Sequence, residues 1–338
     1  MIPDRLKSNL RREWNESLLA KVGLAIAIVI ILLALFAPVL ATHNPHTTGN
    51  FDEHGNPYPP MGVEHDTHMW EEGEDGQERV SYTVEPSDEH YLGTNNIGQD
   101  VFSRVLFGAR TSLLVGLLGT GLATAFGVPF GLVSGYYGGR IDDGMMRIAD
   151  IMLAFPSLVL AIALIGVFGP STQYIPDPIV MAGFAEGMPE YAVLPGTVTL
   201  VVALVTWVWF ARVARGEAMS IRNEEYVKAA KSLGAPNRTI LLRHVLPNSL
   251  TPVIVLATIQ VAAIILLESS LSYLGFSGTT LSWGYEIQQG QDYLATAWWI
   301  ATVPGIAIVL AVISINLLGD WLRDSLDPNI EGEGGGAG

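Results

Sequence analysis

The chain has 338 residues, of which 49% are hydrophobic and only 15% are charged, and its mean hydropathy is +0.36. Soluble domains carry about 25% charged residues, so this composition excludes an ordinary soluble globule. The net charge of −15 argues against a nucleic-acid partner, which would require a basic face. Cysteine is absent, which removes disulfides, thiolate metal ligands and thiol catalysis.

Six charge-free apolar stretches lie along the chain. Each is long enough for a helix that rises 1.5 Å per residue to cross about 30 Å of hydrocarbon. They predict an all-α polytopic membrane protein with six transmembrane helices. The predicted helix cores are 22–41, 112–135, 151–169, 193–213, 251–271 and 298–318.

Lysine and arginine are divided unevenly between the connections. Of the 18 basic residues, 15 lie in the N-terminal segment, the second and fourth connections and the tail. The positive-inside rule therefore predicts that both termini are cytoplasmic. A cleaved signal peptide is the alternative for the first apolar run, but its 20 or so residues exceed the roughly 7 to 15 of a signal core.

This topology divides the chain into four parts. A cytoplasmic N-terminal segment with the first span covers 1–41, and an acidic, histidine-containing external loop covers 42–109. A five-helix core over 110–319 includes the long cytoplasmic loop 212–250. The tail, 320–338, ends in a Gly-rich stretch that we expect to be disordered.

The external loop 42–109 concentrates charge and histidine. It holds 13 acidic residues against two arginines, and all but one of the seven histidines. His65 and His68 would present two imidazoles one turn apart if this segment were helical, but no third ligand is evident, so no metal ligand is assigned. A solvated loop is the favoured interpretation. The acidic excess, with only 4 Lys against 14 Arg, suggests the hypothesis of a high-salt habitat.

The cytoplasmic loop 212–250 contains two predicted short helices. The first covers 223–234, with Asn223 as N-cap and Gly234 as its stop, and the second covers 238–245 and ends before Pro247. The spacing of Val227, Ala230 and Leu233 predicts one common face, and the small Ala229 and Ala230 leave the backbone accessible to a groove on another protein. A protruding coupling knob and an amphipathic loop on the inner membrane surface both fit the pattern.

The same loop resembles the "EAA" loop of ATP-binding-cassette (ABC) importer permeases. The pair Ala229-Ala230, then Gly234, then Leu246-Pro247 follows the motif, although Lys228 replaces its Glu and His244 its Ile. The contact made by that Glu therefore cannot be carried over. The flanking residues resemble the C-type subunit of the dipeptide/oligopeptide/nickel branch. The ATPase-coupling residues implied are Glu225, Tyr226, Ala229, Ala230, Gly234, His244, Leu246 and Pro247.

Further stretches resemble the same branch. They lie at 92–113, 150–157, 268–284 and 316–328. The resemblance fails in the lengthened third connection and over 42–90, so the role of these insertions is not inherited from the family.

The resemblance implies the type I ABC importer permease fold in the cell membrane. The chain would form half of a heterodimeric pore with a B-type permease, driven by two cytoplasmic ABC ATPases and fed by an extracytoplasmic substrate-binding protein. Peptides are the expected cargo, with nickel, another metal chelate or a sugar as alternatives. The chain has no phosphate-binding Gly-x-x-x-x-Gly-Lys-Ser/Thr loop, so it is expected to be no enzyme and to hold no cofactor, with ATP and Mg bound by the partner ATPases.

Other function classes have weaker support. A secondary transporter or channel would require a relay of buried ionisable groups, and a membrane-embedded metalloprotease would require His-Glu-x-x-His, which is absent. A non-transporting scaffold is a further alternative.

Several residues inside the predicted spans have two interpretations. Glu268 is a pore or gate residue, or else an inter-helix hydrogen-bonding group or interfacial anchor. Gln260 either lines the pore or packs between helices. Pro156 predicts a kink in the third span. The glycines that repeat every fourth position on the second span predict close helix packing, and they are Gly127, Gly131 and Gly135.

Overall fold

The computed structural model describes residues 14–73 and 76–326, and the Gly-rich end of the tail lies outside them. Within these residues, five helices are long and apolar enough to cross a membrane, and a bent helix pair provides a possible sixth crossing. The helices are α1 (Leu18–Leu35), α2 (Ala37–Leu40), α3 (Val101–Tyr137), α4 (Gly139–Leu153), α5 (Ser157–Phe168), α6 (Pro178–Met181), α7 (Gly196–Ile221), α8 (Glu225–Ser232), α9 (Asn237–Ile240), α10 (Leu246–Tyr273), α11 (Trp283–Gly290) and α12 (Trp299–Leu326).

The first and last spans lie side by side. The rings of Trp14 and Trp321 pack edge to face with their centroids 5.4 Å apart. A Cβ on Gly23 of α1 would lie only 2.7 Å from the Cβ of Leu317 on α12. The start of α1 and the end of α12 are therefore on the same side of the membrane, as the predicted even number of crossings requires.

The fourth span, α7, occupies the centre of the bundle. In its most apolar window 72% of residues are buried, against 22% in α1. The glycine stripe of the second span, α3, lies directly against it: a Cβ on Gly127 would fall 2.3 Å from the Trp207 carbonyl oxygen, and one on Gly131 would fall 2.0 Å from that of Ala211. Gly135 approaches α7 in the same way. Only glycine allows the two backbones to come this close.

The third crossing differs from the prediction. A single kinked helix over 151–169 is wrong, because α4 and α5 meet at an angle of 90° across Pro156. Proline has no N–H to continue the helix and clashes with the preceding turn. The 12 residues of α5 rise about 18 Å, less than the hydrocarbon thickness, and the amphipathic α4 turns away from the span.

The external loop contains an antiparallel hairpin that the sequence did not predict. Strand β1 (His65–Gly73) pairs with β2 (Gly76–Val84), with His65 opposite Val84. The helix considered for His65 and His68 is therefore wrong. Both residues lie in β1, so the backbone there is extended and has no helical turn.

The third connection is also more ordered than predicted. Strands β3 (Thr172–Pro176) and β4 (Tyr191–Pro195) pair antiparallel, with α6 between them. Asp177 caps α6 by accepting a hydrogen bond from the Ile179 N–H at 3.0 Å, and it also pairs with Arg110 at the outer end of α3. Within the described residues, two antiparallel strand pairs thus accompany the helices.

Candidate ATPase-coupling surface

Helix α8 begins at Glu225, so its N-cap position is Glu224 and not the predicted Asn223. The Asn223 side-chain amide does not cap this helix but donates to the Met219 carbonyl oxygen at 2.9 Å. Asn223 is therefore not the N-cap, because its side chain continues the hydrogen bonding of the preceding helix.

Gly234 ends α8 as predicted. Its φ of +82° lies in the left-handed region that favours glycine, and its N–H donates to the Lys231 carbonyl oxygen at 3.0 Å. The Ala235 N–H donates to the Ala230 carbonyl oxygen at 3.1 Å, which completes a Schellman motif. The chain therefore reverses sharply and leaves the end of α8 as a projection.

The second short helix does not end at Pro247. Instead, α9 continues through a π-helical segment, Leu241–Val245, directly into α10, so that Asn237–Tyr273 forms one long helix. Proline lacks an N–H and clashes with the carbonyl four residues earlier, and a π turn accommodates both defects by changing the local hydrogen-bond spacing. The coupling loop is therefore continuous with the fifth span.

Helix α8 has a buried base and an exposed tip. Val227 is 2% exposed and joins a hydrophobic cluster with Ile240 and Val245, whereas Leu233 is 88% exposed. A Cβ on Gly234 would meet no atom within 4 Å. The common face predicted for Val227 and Leu233 is wrong, because six residues of α-helix rotate a side chain by about 240°.

The other predicted coupling residues differ in their exposure to solvent. The Tyr226 hydroxyl accepts a hydrogen bond from the Asn248 amide at 3.3 Å, and its ring lies 6.0 Å from that of His244. The exposed residues are Glu225, Tyr226, Ala229, Gly234 and Pro247, while Ala230, His244 and Leu246 are half-buried. We define the coupling surface as Tyr226, Ala229, Leu233, Gly234 and Leu242, all exposed.

Two hydrogen-bonded contacts tie the coupling loop to the cytoplasmic end of α3. The Arg222 guanidinium donates to the Gly135 carbonyl oxygen at 2.7 Å, and the Tyr136 hydroxyl donates to the Asn237 side chain at 2.9 Å. The sequence indicated only that Arg222 belongs to a basic cytoplasmic loop. Its partner is a backbone carbonyl, which no side-chain pattern could identify.

Arginines of α7 also pair with acids of α4. Arg215 donates two hydrogen bonds of 2.6 Å to Asp142, which also accepts one from Ser134 at 2.5 Å. The Arg215 hydrogen bonds, with a smaller contribution from Ser134, hold the pKa of Asp142 below its usual range against the opposing effect of desolvation. An exposed pair joins Arg212 and Asp150 at 2.7 Å. The sequence places acids in one cytoplasmic connection and arginines in another, which could have indicated these pairs, but the pairs were not predicted.

The polar residues of the fifth span lie inside the helix bundle. Glu268 is fully buried and accepts hydrogen bonds from Ser112 of α3 at 3.0 Å, Ser272 at 2.6 Å and Ser269 at 3.3 Å. The carboxylate therefore joins α3 to α10 and does not reach interfacial water. Gln260 is 8% exposed, and its amide nitrogen has no hydrogen-bond partner within the described part of the chain.

The helix bundle and the projecting helix α8 define a polytopic transport subunit, and comparison with known proteins identifies its class. Residues 127–332 match the family model described as "Binding-protein-dependent transport system inner membrane component". Residues 16–60 match the "N-terminal TM domain of oligopeptide transport permease C". The chain therefore belongs to the family of binding-protein-dependent transport system inner membrane components.

Similar curated proteins cover nearly the whole chain. The dipeptide transport system permease protein DppC of Alkalihalophilus pseudofirmus is 34% identical, over 95% of this chain and 89% of that protein. The oligopeptide transport system permease protein OppC of Bacillus subtilis is 33% identical, over 94% and 88%. The glutathione transport system permease protein GsiD of Escherichia coli is 31% identical, over 98% and 94%.

The fold is also found in a solved transporter. A chain of the MetNI methionine ABC transporter, in an inward-facing conformation, superposes with a TM-score of 0.51 at 16% identity. The superposition covers 66% of this chain and 97% of that chain. The chain therefore has the ABC importer permease fold and is a multi-pass inner membrane protein. Subunits of this family are non-catalytic, and they work with ATPase and binding-protein partners.

Proposed function

We propose that this chain forms half of the pore of a peptide importer and receives the ATPase stroke at the coupling surface. The observation that carries the proposal is the contrast within α8: Val227 is locked into the core, while Leu233 and Gly234 project into open space. An exposed apolar tip on a rigid base is the shape that a groove on another protein can grip.

The contacts of the loop provide a path for that stroke. Val227 of α8 shares a hydrophobic cluster with Ile240 and Val245, and these two residues belong to the single helix Asn237–Tyr273. A push on the coupling surface therefore moves the fifth span with it. The hydrogen bond from Arg222 to Gly135 transmits the same movement to α3. Rigid-body displacement of these helices would then switch the pore between its inward-facing and outward-facing states.

The proposed complex contains further subunits. A B-type permease would supply the second half of the pore, and two ABC ATPases would bind ATP and Mg, so that this chain itself requires no cofactor. The apolar side chains exposed on α1 and α10, among them Val29, Ile31, Ile254 and Leu266, fit a position facing lipid or a second permease.

Peptides are the proposed cargo. Similar proteins are named for the transport of dipeptides, D,D-dipeptides, oligopeptides and glutathione, all of which are peptides or peptide derivatives. The proposal therefore places a short peptide ahead of nickel, another metal chelate or a sugar.

The test uses the complete transporter in proteoliposomes, with the binding protein and ATP supplied. Gly234→Val is expected to lower uptake of a radiolabelled dipeptide more than 10-fold, because a β-branched side chain strains a left-handed backbone and thickens the tip. Gly139→Val is the matched control, since Gly139 also has a positive φ, of +55°, with no atom near its Cβ, and lies outside the coupling surface.

Equal uptake by the Gly234 variant and the wild type would reject the coupling assignment. Uptake of ⁶³Ni²⁺ but not of peptides by the wild-type transporter would reject the proposed cargo.

A further inference from the structure

The geometry points to a transition-metal site on the external side of the membrane, formed by His43, Glu89 and His90. One ligand atom from each side chain lies within 4.8 Å of the others. These residues are not the His65 and His68 pair of the hairpin. They come from two separate segments, one directly after the first span and one shortly before the second.

A buried carboxylate orients the most enclosed of these ligands. The Asp100 side chain is fully buried, and its Oδ1 lies 2.9 Å from His90 Nδ1. Asp100 is itself fixed as the N-cap of α3, accepting a hydrogen bond from the Ser103 N–H at 2.8 Å. Donation from Nδ1 to a carboxylate leaves Nε2 as the nitrogen that can bind a metal, which is the common second-shell arrangement at protein metal sites.

The second imidazole is held beside the first. The His43 ring stacks on His90 with the ring centroids 4.4 Å apart and a tilt of 35°, and His43 Nδ1 lies 3.0 Å from the Thr42 hydroxyl. Thr42 in turn lies 3.3 Å from Asp100 Oδ2. Both rings are therefore positioned by the same buried carboxylate, His90 directly and His43 through the Thr42 hydroxyl.

The site is accessible and adjustable on one side. His90 is buried, His43 is 28% exposed, and Glu89 is exposed to solvent. Zinc ligands lie about 2.0–2.2 Å from the metal, so a shift of about 1 Å in the two more exposed side chains would bring the three atoms to tetrahedral spacing. Water would complete the fourth position.

The donor set selects the kind of metal. Two imidazoles and one carboxylate suit zinc and neighbouring first-row ions, whereas calcium and magnesium prefer oxygen ligands. Because His43 follows α2 and His90 precedes α3, a bound ion would join the outer end of the first span to the segment that leads into the second. The proposed role of the ion is structural: it cross-links these two segments at the outer surface.

The test measures zinc binding by the tag-free, full-length chain, purified in detergent and stripped with a chelator. Titration calorimetry is expected to show one zinc ion per chain, and cobalt substitution should give the visible absorption of a tetrahedral site. His43→Ala and Glu89→Gln change accessible side chains, and each is expected to weaken zinc binding at least 10-fold. His54→Ala is the matched control, since His54 lies beside Asp52 and Glu53 in the same loop, at 3.9 Å from each.

Thermal melting separates loss of the site from loss of the fold. Zinc should raise the melting temperature of the wild type and of the His54 variant, but not that of the His43 or Glu89 variants, whose melting temperatures without metal should match the wild type. Zinc affinity that is unchanged in both site variants, or that falls equally in the His54 variant, would overturn the proposal.

Discussion

The outer and cytoplasmic ends of the helix bundle are held by different kinds of ion pair. At the outer end Arg104 donates hydrogen bonds of 2.7 and 2.6 Å to Glu286, and the side chains are only 5% and 1% exposed. At the cytoplasmic end Arg215 makes an equally short bidentate pair with Asp142, but the arginine is 34% exposed. The geometry is the same, and the access of water differs.

That difference indicates which end can move. Removing one partner of a buried pair leaves an isolated charge in a low dielectric, at a cost of about 3–5 kcal/mol. A pair that water reaches can exchange its hydrogen bonds with solvent at a much smaller cost. Under the proposed function, the outer end is a fixed anchor, while the cytoplasmic end can rearrange when the ATPases act on the coupling surface.

The largest expected effect is at the outer anchor. Glu286→Ala leaves Arg104 buried without its carboxylate, and we expect a loss of about 3–5 kcal/mol in the free energy of unfolding. Thermal melting and the yield of monodisperse protein in detergent measure the loss, with the exposed Glu85→Ala as control. If the Glu286 variant melted like the control, the outer pair would not be an anchor.

A second large effect is expected at the close contact between α3 and α7. Gly131→Val places its Cβ about 2 Å from the Ala211 carbonyl oxygen and must separate α3 from α7, so we expect a destabilisation of about 1–3 kcal/mol or more. Gly121→Val on the same helix enters open space and serves as the control. Similar melting temperatures for both variants would contradict the close helix contact.

A smaller loss of stability is expected at the cytoplasmic pair. Asp142→Asn keeps the size of the side chain but removes the charge that Arg215 binds, and we expect a destabilisation of about 1 kcal/mol with transport lowered several-fold. The measurement is the ratio of transport loss to stability loss for each variant, and we expect this ratio to be larger for Asp142→Asn than for Glu286→Ala. A larger ratio for the outer variant would reverse our assignment of the fixed and mobile ends.

The smallest effect concerns pH. The pKa of Asp142 is lowered in the folded chain, so its contribution is fully present above the ordinary pKa of Asp, about 3.9, and is lost only as the pH falls through the lower folded value. The difference in melting temperature between wild type and Asp142→Asn should therefore be the same at pH 7.5 and pH 5. A difference that shrinks at pH 5 would show that the pair does not hold the carboxylate ionised.

Local pattern predicted the fold better than it predicted the contacts between segments. Charge-free runs and the residues around Gly234 indicated the membrane spans and the coupling loop, because a span or a helix stop depends on neighbouring residues. Proline can kink a helix, break it or be accommodated within it, and the surrounding packing decides which. The helix turns by 90° at Pro156, but it continues from α9 into α10 past Pro247. His43 and His90 were both visible in the external loop, but only the folded chain brings them together.

The central claim, that α8 presents its tip to the ATPases, can be tested by thiol labelling. The natural chain has no cysteine, so Leu233→Cys introduces a single thiol at the exposed tip, and Ile97→Cys provides a matched exposed thiol on the external side. We predict that assembly with the ATPase subunits slows maleimide labelling of the Leu233 variant at least 10-fold and leaves the Ile97 variant unchanged. Equal labelling rates for the Leu233 variant, alone and in the assembled transporter, would contradict the account.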